Sequence, residues 1–248
     1  MGTSTERKIP KPRNTSSISF DGSNDYLSIP AHAYSGGSGV SDFSFSIWVN
    51  FPSGGATPFR RKSIMDIYAD TSNYYKFSFA GTNKEVFQIF IGGAAIVNYA
   101  ANDAIDANLA DTFIHYVISH DRSSGTTLYR NGVALTAATN AIADTSTNVH
   151  IAQPLRIGVY GTAYAAFKCN EFAAFSGTAL SAAQVKVLYN KSTPHVKGGE
   201  GVARNGLRGL FLMGDGTETA SGTTIYDMQG SVGNATLTNG APYSSIVR

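Results

Sequence analysis

The chain has 248 residues, of which 42% are hydrophobic and only 15% charged, with a formal net charge of +2 and a single cysteine, Cys169. This is enough apolar material for one large all-β domain or two small ones, while the near-neutral charge carries no general nucleic-acid footprint and one cysteine excludes an internal disulfide framework. There is no apolar run of membrane length and no secretory leader at the start, so no membrane partner and synthesis in a cytosol are expected.

The charged fraction falls below the ~25% of a typical soluble domain. Either other subunits cover part of the surface, as in a homo-oligomer, or Ser, Thr, Asn and Gly solvate it. Residues 1–14 differ in kind, with Arg7, Lys8, Lys11 and Arg13 against Glu6, and with Pro10 and Pro12. Two X-Pro steps favour an extended arm. It reads either as a loose tail or as an assembly arm that docks on a neighbouring subunit or an acidic surface.

From residue 15 onward the signals are short strands and turns. Runs at 17–20 and 26–29 flank the turn composition Asp21-Gly-Ser-Asn-Asp25, and a Gly/Ser loop at 35–39 leads into residues 43–51. There Phe43, Phe45, Ile47, Val49 and Phe51 alternate with Ser44, Ser46, Trp48 and Asn50. A period of two predicts a central strand with one apolar face. Its other face, carrying the only tryptophan, is either a binding surface or covered by a loop. Further strands are predicted at 64–68, 74–79, 87–91, 95–99, 113–120, 127–130, 155–159 and 166–175. Asn131-Gly132 is a type I′ hairpin signal, because both residues tolerate positive φ. One short helix starts after Ser181, which forms a capping box with Gln184, and Leu180 and Val185 supply a hydrophobic staple. It is expected to clip the edge of a sandwich. After a Gly/Lys-rich connector at 191–206, strand chemistry returns at 207–213, 224–226 and 235–237.

This pattern predicts an all-β, two-sheet antiparallel jelly-roll β-sandwich with one short helix. The ordered series Phe20-Asp-Gly-Ser-Asn-Asp-Tyr-Leu-Ser-Ile-Pro30, 43–51 with its Trp, 113–121, Leu128-Tyr-Arg-Asn-Gly132, Ile157-Gly158 and 170–190 closely resembles the laminin-G-like, concanavalin A-like jelly-roll family. The closing segment 207–248, with Leu207-Arg-Gly-Leu-Phe-Leu-Met-Gly-Asp-Gly216 and Asp227-Met-Gln-Gly230, is similar to the stretch that opens such a module. It therefore either folds back beside 17–20 to complete the sandwich or completes a neighbour's sheet. The whole layout resembles laminin-G-like structural proteins of marine bacteriophages. That resemblance implies a non-enzymatic virion protein (capsid decoration, head fibre or tail-associated) that meets other virion proteins through its arm. The alternative is a lectin or adhesion module that binds host-surface glycans.

No catalytic constellation stands out. Sandwich glycosidases need two carboxylates on one strand face, and Glu171 is the only Glu between 113 and 193. No nucleophile elbow or zinc-binding helix occurs, so no enzyme activity is expected. A carbohydrate platform would use Trp48 with Asn50, and Tyr74 with Tyr75. No cofactor is required, but the family resemblance implies a structural Ca²⁺ as an option, held by Glu171, Asp215, Asp227 and Asn234. Asn170 stands where the family has an Asp, which removes one hard charged oxygen.

Overall fold

The computed structural model describes residues 16–31, 41–53, 62–142, 147–191, 206–213, 220–239 and 243–245. The arm at 1–14, the loop at 35–39 and most of the connector at 191–206 lie outside the described residues.

Strands β1 (Ser16–Asp21) and β2 (Tyr26–Ile29) flank a turn in which the Asp21 carboxylate accepts a hydrogen bond from the Ser23 amide at 2.7 Å. The central strand, β3 (Phe43–Asn50), is followed by a meander of β4 (Ser63–Asp70), β5 (Asn73–Phe79), β6 (Glu85–Ile91) and β7 (Ala94–Ala101). Next come β8 (Phe113–Asp121), β9 (Gly125–Arg130), β10 (Val133–Ala134) and β11 (Ala137–Ile142). The last part before the helix holds β12 (Leu155–Ile157), the small hairpin β13 (Val159–Tyr160) and β14 (Ala163–Tyr164), and the long β15 (Ala166–Ser176). Helix α1 (Ala182–Lys191) precedes β16 (Leu207–Phe211), β17 (Ala220–Ser221), β18 (Thr224–Ile225), β19 (Ala235–Thr238) and β20 (Tyr243–Ser245).

Two sheets stack as a sandwich. The eight-stranded sheet runs β10-β9-β8-β3-β15-β1-β20, with β16 also on β15, and the ten-stranded sheet runs β11-β7-β6-β5-β4-β12-β2-β19-β18-β17. Neighbouring strands pair antiparallel, as in β3 with β8 and β15, and β12 with β2 and β4. The fold is the expected all-β sandwich with one helix. The closing segment pairs within the chain: β20 lies on β1, β16 on β15 and β19 on β2. Along β15, β1 supplies the partner up to Cys169 and β16 takes over from Phe172. A bulge marks the handover, and there Glu171 adopts φ +37, a backbone state that side chains other than Gly seldom take.

Phe43, Phe45, Ile47, Val49 and Phe51 all point into the inter-sheet core and are at most 3% exposed. Their rings meet the opposite sheet directly, Phe43 with Phe87 at 6.3 Å and Phe51 edge-on to Phe79 at 5.3 Å. Cys169 is buried in the same core, and burial pushes its thiol up. One polar clamp crosses the core, where buried Glu85 on β6 accepts from the Tyr116 hydroxyl (3.0 Å) and from Arg130 Nη1 (2.7 Å).

The expectation for the helix needs correcting. Rather than closing an edge, α1 lies over the outer face of the eight-stranded sheet. There Val185, Leu188 and Leu180 build a second core with Val117, Tyr129 and Phe175. The sequence signals at its start are all used: Gln184 Oε1 accepts from the Ser181 amide at 2.8 Å. The small alternate residues of β3 seat the segment just before it. Ser44 Oγ accepts from the Leu180 amide and donates to the Thr178 carbonyl, both at 3.0 Å, and Ser119 Oγ donates to the Leu180 carbonyl at 2.9 Å. Asn131 (φ +52) and Gly132 (φ +77) form the predicted tight hairpin. Gly132 is required twice, since a Cβ there would also sit 3.0 Å from the Tyr189 ring.

Candidate functional site

The four residues expected to form a carbohydrate platform do not converge. Trp48 is 2% exposed, its ring stacked on His115 at 4.8 Å and beneath Tyr189 of α1 at 5.8 Å. It is covered by the helix and offers no platform. Asn50 is partly exposed at the end of the same strand. Tyr75 points inward, with its hydroxyl donating to the Val149 carbonyl at 2.9 Å. Of the three aromatic candidates only Tyr74 is partly exposed, and it belongs to the other sheet from Asn50.

Around Tyr74 the register assembles what local sequence could not show. On the outer face of the ten-stranded sheet, Tyr74 stands opposite both Tyr68 and Phe90 and stacks on Phe90 at 4.8 Å. The next row is polar: Asn98, Gln88, Lys76, Asp66, Arg156, Ser28 and Thr236 face one another on successive strands. Hairpin β13–β14 crosses this face and adds Tyr160, whose ring lies edge-on to Tyr68 and to Tyr74, each at 5.6 Å. Burial, with Tyr74 beside it, pushes the Tyr160 hydroxyl up to about 12.

The hairpin is pinned by one carboxylate. Asp66 is fully buried and accepts from Arg156 Nε (2.9 Å), Arg156 Nη2 (2.5 Å) and the Gly161 amide (3.0 Å). Burial pushes its carboxyl above the ordinary range, while Arg156 and the Gly161 amide draw it down. The Arg156 guanidinium sits between two rings, 5.8 Å from Tyr68 and 6.0 Å from Tyr26. Lys76 Nζ lies 4.3 Å above the Tyr160 ring. Between the hairpin tip at 161–163 and the strands opens a cleft of about 510 Å³, walled by Tyr68, Thr71, Arg156 and Tyr160. It combines aromatic rings, one guanidinium and hydrogen-bonding groups, the make-up of a candidate ligand site. Tyr68, Phe90, Lys76, Arg156 and Tyr160 are not singled out by any sequence motif. Their only local signal is alternation, Tyr74/Lys76 and Gln88/Phe90 being out of phase with the core residues.

Two of the four residues considered for calcium, Asp227 and Asn234, are engaged by backbone amides. Both oxygens of Asp227 accept from backbone amides, Oδ1 from Leu210 (3.2 Å) and Gln229 (3.0 Å), Oδ2 from Val232 (2.9 Å). Asn234 Oδ1 accepts from the Asp227 amide at 3.1 Å. Glu171 sits at the β15 bulge, and Asp215 lies outside the described residues. Among the described residues no three His, Cys, Asp or Glu side chains gather as a metal would need, and no helix is long and apolar enough to cross a membrane.

No curated protein sequence matches the chain. Solved structures similar to it include the heptameric SAP-like pentraxin from Limulus polyphemus, at 12% identity and TM-score 0.48, covering 82% of this chain and 93% of that one. Another is the binding domain of botulinum neurotoxin DC in complex with rat synaptotagmin II, at 14% identity and TM-score 0.48, covering 62% of this chain. A third is the binding domain of Paraclostridial Mosquitocidal Protein 1, at 16% identity and TM-score 0.47, covering 61% of this chain. The chain spans only 37% of the length of each of these two toxin domains. The family model described as the concanavalin A-like lectin/glucanases superfamily matches residues 21–186, two thirds of the 248 residues, and includes most of the sandwich and the cleft. The chain therefore belongs to the concanavalin A-like lectin/glucanase superfamily.

Proposed function

We propose that this chain is a non-catalytic carbohydrate-binding module whose ligand lies on the outer face of the ten-stranded sheet, against Tyr74, Tyr68 and Tyr160. The observation that carries this reading is the cleft between the strands and hairpin β13–β14, where tyrosine rings line a hollow bordered by a polar row. A sugar ring presents C–H groups to an aromatic face and hydroxyls to polar neighbours, and tyrosine serves both needs. The carboxylates nearby are unsuited to glycoside cleavage. Asp66 is consumed by Arg156 and Gly161. Asp70 accepts from the Ser72 amide and the Asn73 side chain. Neither is poised as a free acid or nucleophile.

A glycan array with wild type and Tyr160→Ala is the test. Wild type is expected to bind a subset of glycans, and the variant to bind them at least about tenfold more weakly, a loss of ~1.4 kcal/mol, with an unchanged far-ultraviolet spectrum. Wild type that binds nothing on the array removes the proposal.

A second reading adds a location to this activity: a bacteriophage virion, with residues 1–14 as the anchor to capsid or tail subunits. The sequence supports it through the basic, proline-bearing arm and the resemblance of the whole layout, from the capped helix through the closing segment, to such structural proteins. Deleting residues 1–14 is then expected to abolish incorporation into particles while the sandwich keeps its melting temperature. Wild-type occupancy by the truncated protein excludes the anchoring role.

A further inference from the structure

Lys76 holds a charge that the described protein does not neutralise. Its place in the ladder is opposite Asp66, the natural partner, yet both Asp66 oxygens are turned to Arg156 and the Gly161 amide. The ion pairs among the described residues are Arg130–Glu85 and Arg156–Asp66, and Lys76 enters neither. On its other flank stands the neutral Gln88, whose Nε2 donates to Asn98 Oδ1 at 3.2 Å. What Lys76 has instead is the Tyr160 ring 4.3 Å below its ammonium, a contact that orients a cation without cancelling it. Burial pushes this ammonium below its ordinary value. A half-buried cation that makes no ion pair of its own is stabilised by an anion that arrives.

The same ring also walls the cleft. Tyr160 thus joins a surface suited to a sugar ring to a cation suited to a negative substituent. Arg156, anchored by Asp66 and flanked by Tyr68, is the positive group on the cleft wall itself, and Lys76 borders the cleft through the Tyr160 ring. We propose that the ligand is an acidic saccharide, with a carboxylate or sulfate group paired to Lys76 and the sugar ring resting against Tyr160. This rests on the carbohydrate reading above and narrows it to anionic glycans.

Matched probes separate the charge from the sugar: oligogalacturonate and its fully methyl-esterified form, and a sulfated oligosaccharide and its desulfated form, titrated calorimetrically. Wild type is expected to bind the charged member of at least one pair tenfold or more tightly than its neutral counterpart, with a preference that shrinks as salt rises. Lys76→Gln is expected to remove the preference, bringing the affinity for the charged member down to that for its neutral counterpart. Lys76→Arg is expected to keep it, and Tyr160→Ala to weaken both members together. Equal binding of both members of each pair overturns the acidic-ligand proposal while the carbohydrate reading stands. Retention of the preference by Lys76→Gln, at wild-type melting temperature, overturns it equally. If no probe and no array glycan binds, both proposals fall together.

Discussion

Replacing Trp48 with alanine is expected to cost roughly 3–5 kcal/mol of stability, the usual penalty for truncating a large, fully buried aromatic side chain. The indole is sandwiched between His115 and Tyr189 and helps hold α1 on the outer face of the eight-stranded sheet. Ser46 and His115 beside it are linked at 2.8 Å and would border the resulting cavity. Urea denaturation is expected to show a lower midpoint, with α1 losing protection from hydrogen exchange ahead of the inter-sheet core. Glycan affinity of the folded fraction should be unchanged, because the proposed ligand face is on the other sheet. A Trp48→Ala protein with normal stability and lost glycan binding would make Trp48 the ligand platform after all and refute this assignment.

The second large effect is acid sensitivity. His115 and His120 are both buried. Burial lowers His115 from 6.5 to about 3, and burial together with repulsion from Arg122 lowers His120 to about 4, with Asp121 opposing. Folded-state values below the unfolded one mean that the unfolded chain takes up protons the folded chain refuses. Their contribution to stability is complete above pH 6.5 and is lost as pH falls toward 4 and 3. Each histidine then costs about 1.4 kcal/mol per pH unit, so the pair gives a slope of roughly 2–3. Glu85 and Asp66, whose carboxyls burial pushes up, act in the opposite sense, since the folded state takes their protons first. The histidine slope opens as pH falls below about 6.5, and between there and about pH 5 it is read net of that opposing uptake. Denaturation midpoints across this window should fall steadily for wild type, and His120→Asn should show about half the slope. A wild-type midpoint that stays flat across the window would show that the imidazoles titrate normally in the fold.

The fold is legible in the sequence and the site is not, and the difference has a specific cause. Phe43 to Phe51 alternate over a strand buried on the core side, and that period needs no knowledge of the partner strand. Asn131-Gly132 and Ser181 with Gln184 are likewise local, each acting within four residues on its own backbone. By contrast, β11, β17 and β20 carry no comparable signal. They are short or built of Ala, Thr and Ser, and their existence depends on the strands they join, β7, β18 and β1.

The proposed binding face shows the same division. Tyr74 and Tyr75 pair as candidates only because they are adjacent, yet adjacency in a strand guarantees opposite faces. One of them had to be core, and it is Tyr75. Trp48 draws attention as a lone indole among serines, but the small serines are what let the segment leading into α1 sit on the strand.

By itself the sequence determined the two-sheet sandwich, its central strand, the tight hairpin and the capped helix, because each follows from side-chain period or backbone preference within one segment. Tertiary structure alone decided that α1 covers Trp48, that the closing strands return to β1, β2 and β15, and that Tyr68, Tyr74, Lys76, Arg156 and Tyr160 share one face. Those outcomes depend on strand register and on which sheet a residue joins, and both are set by contacts between residues as distant in sequence as Ser16 and Ser245.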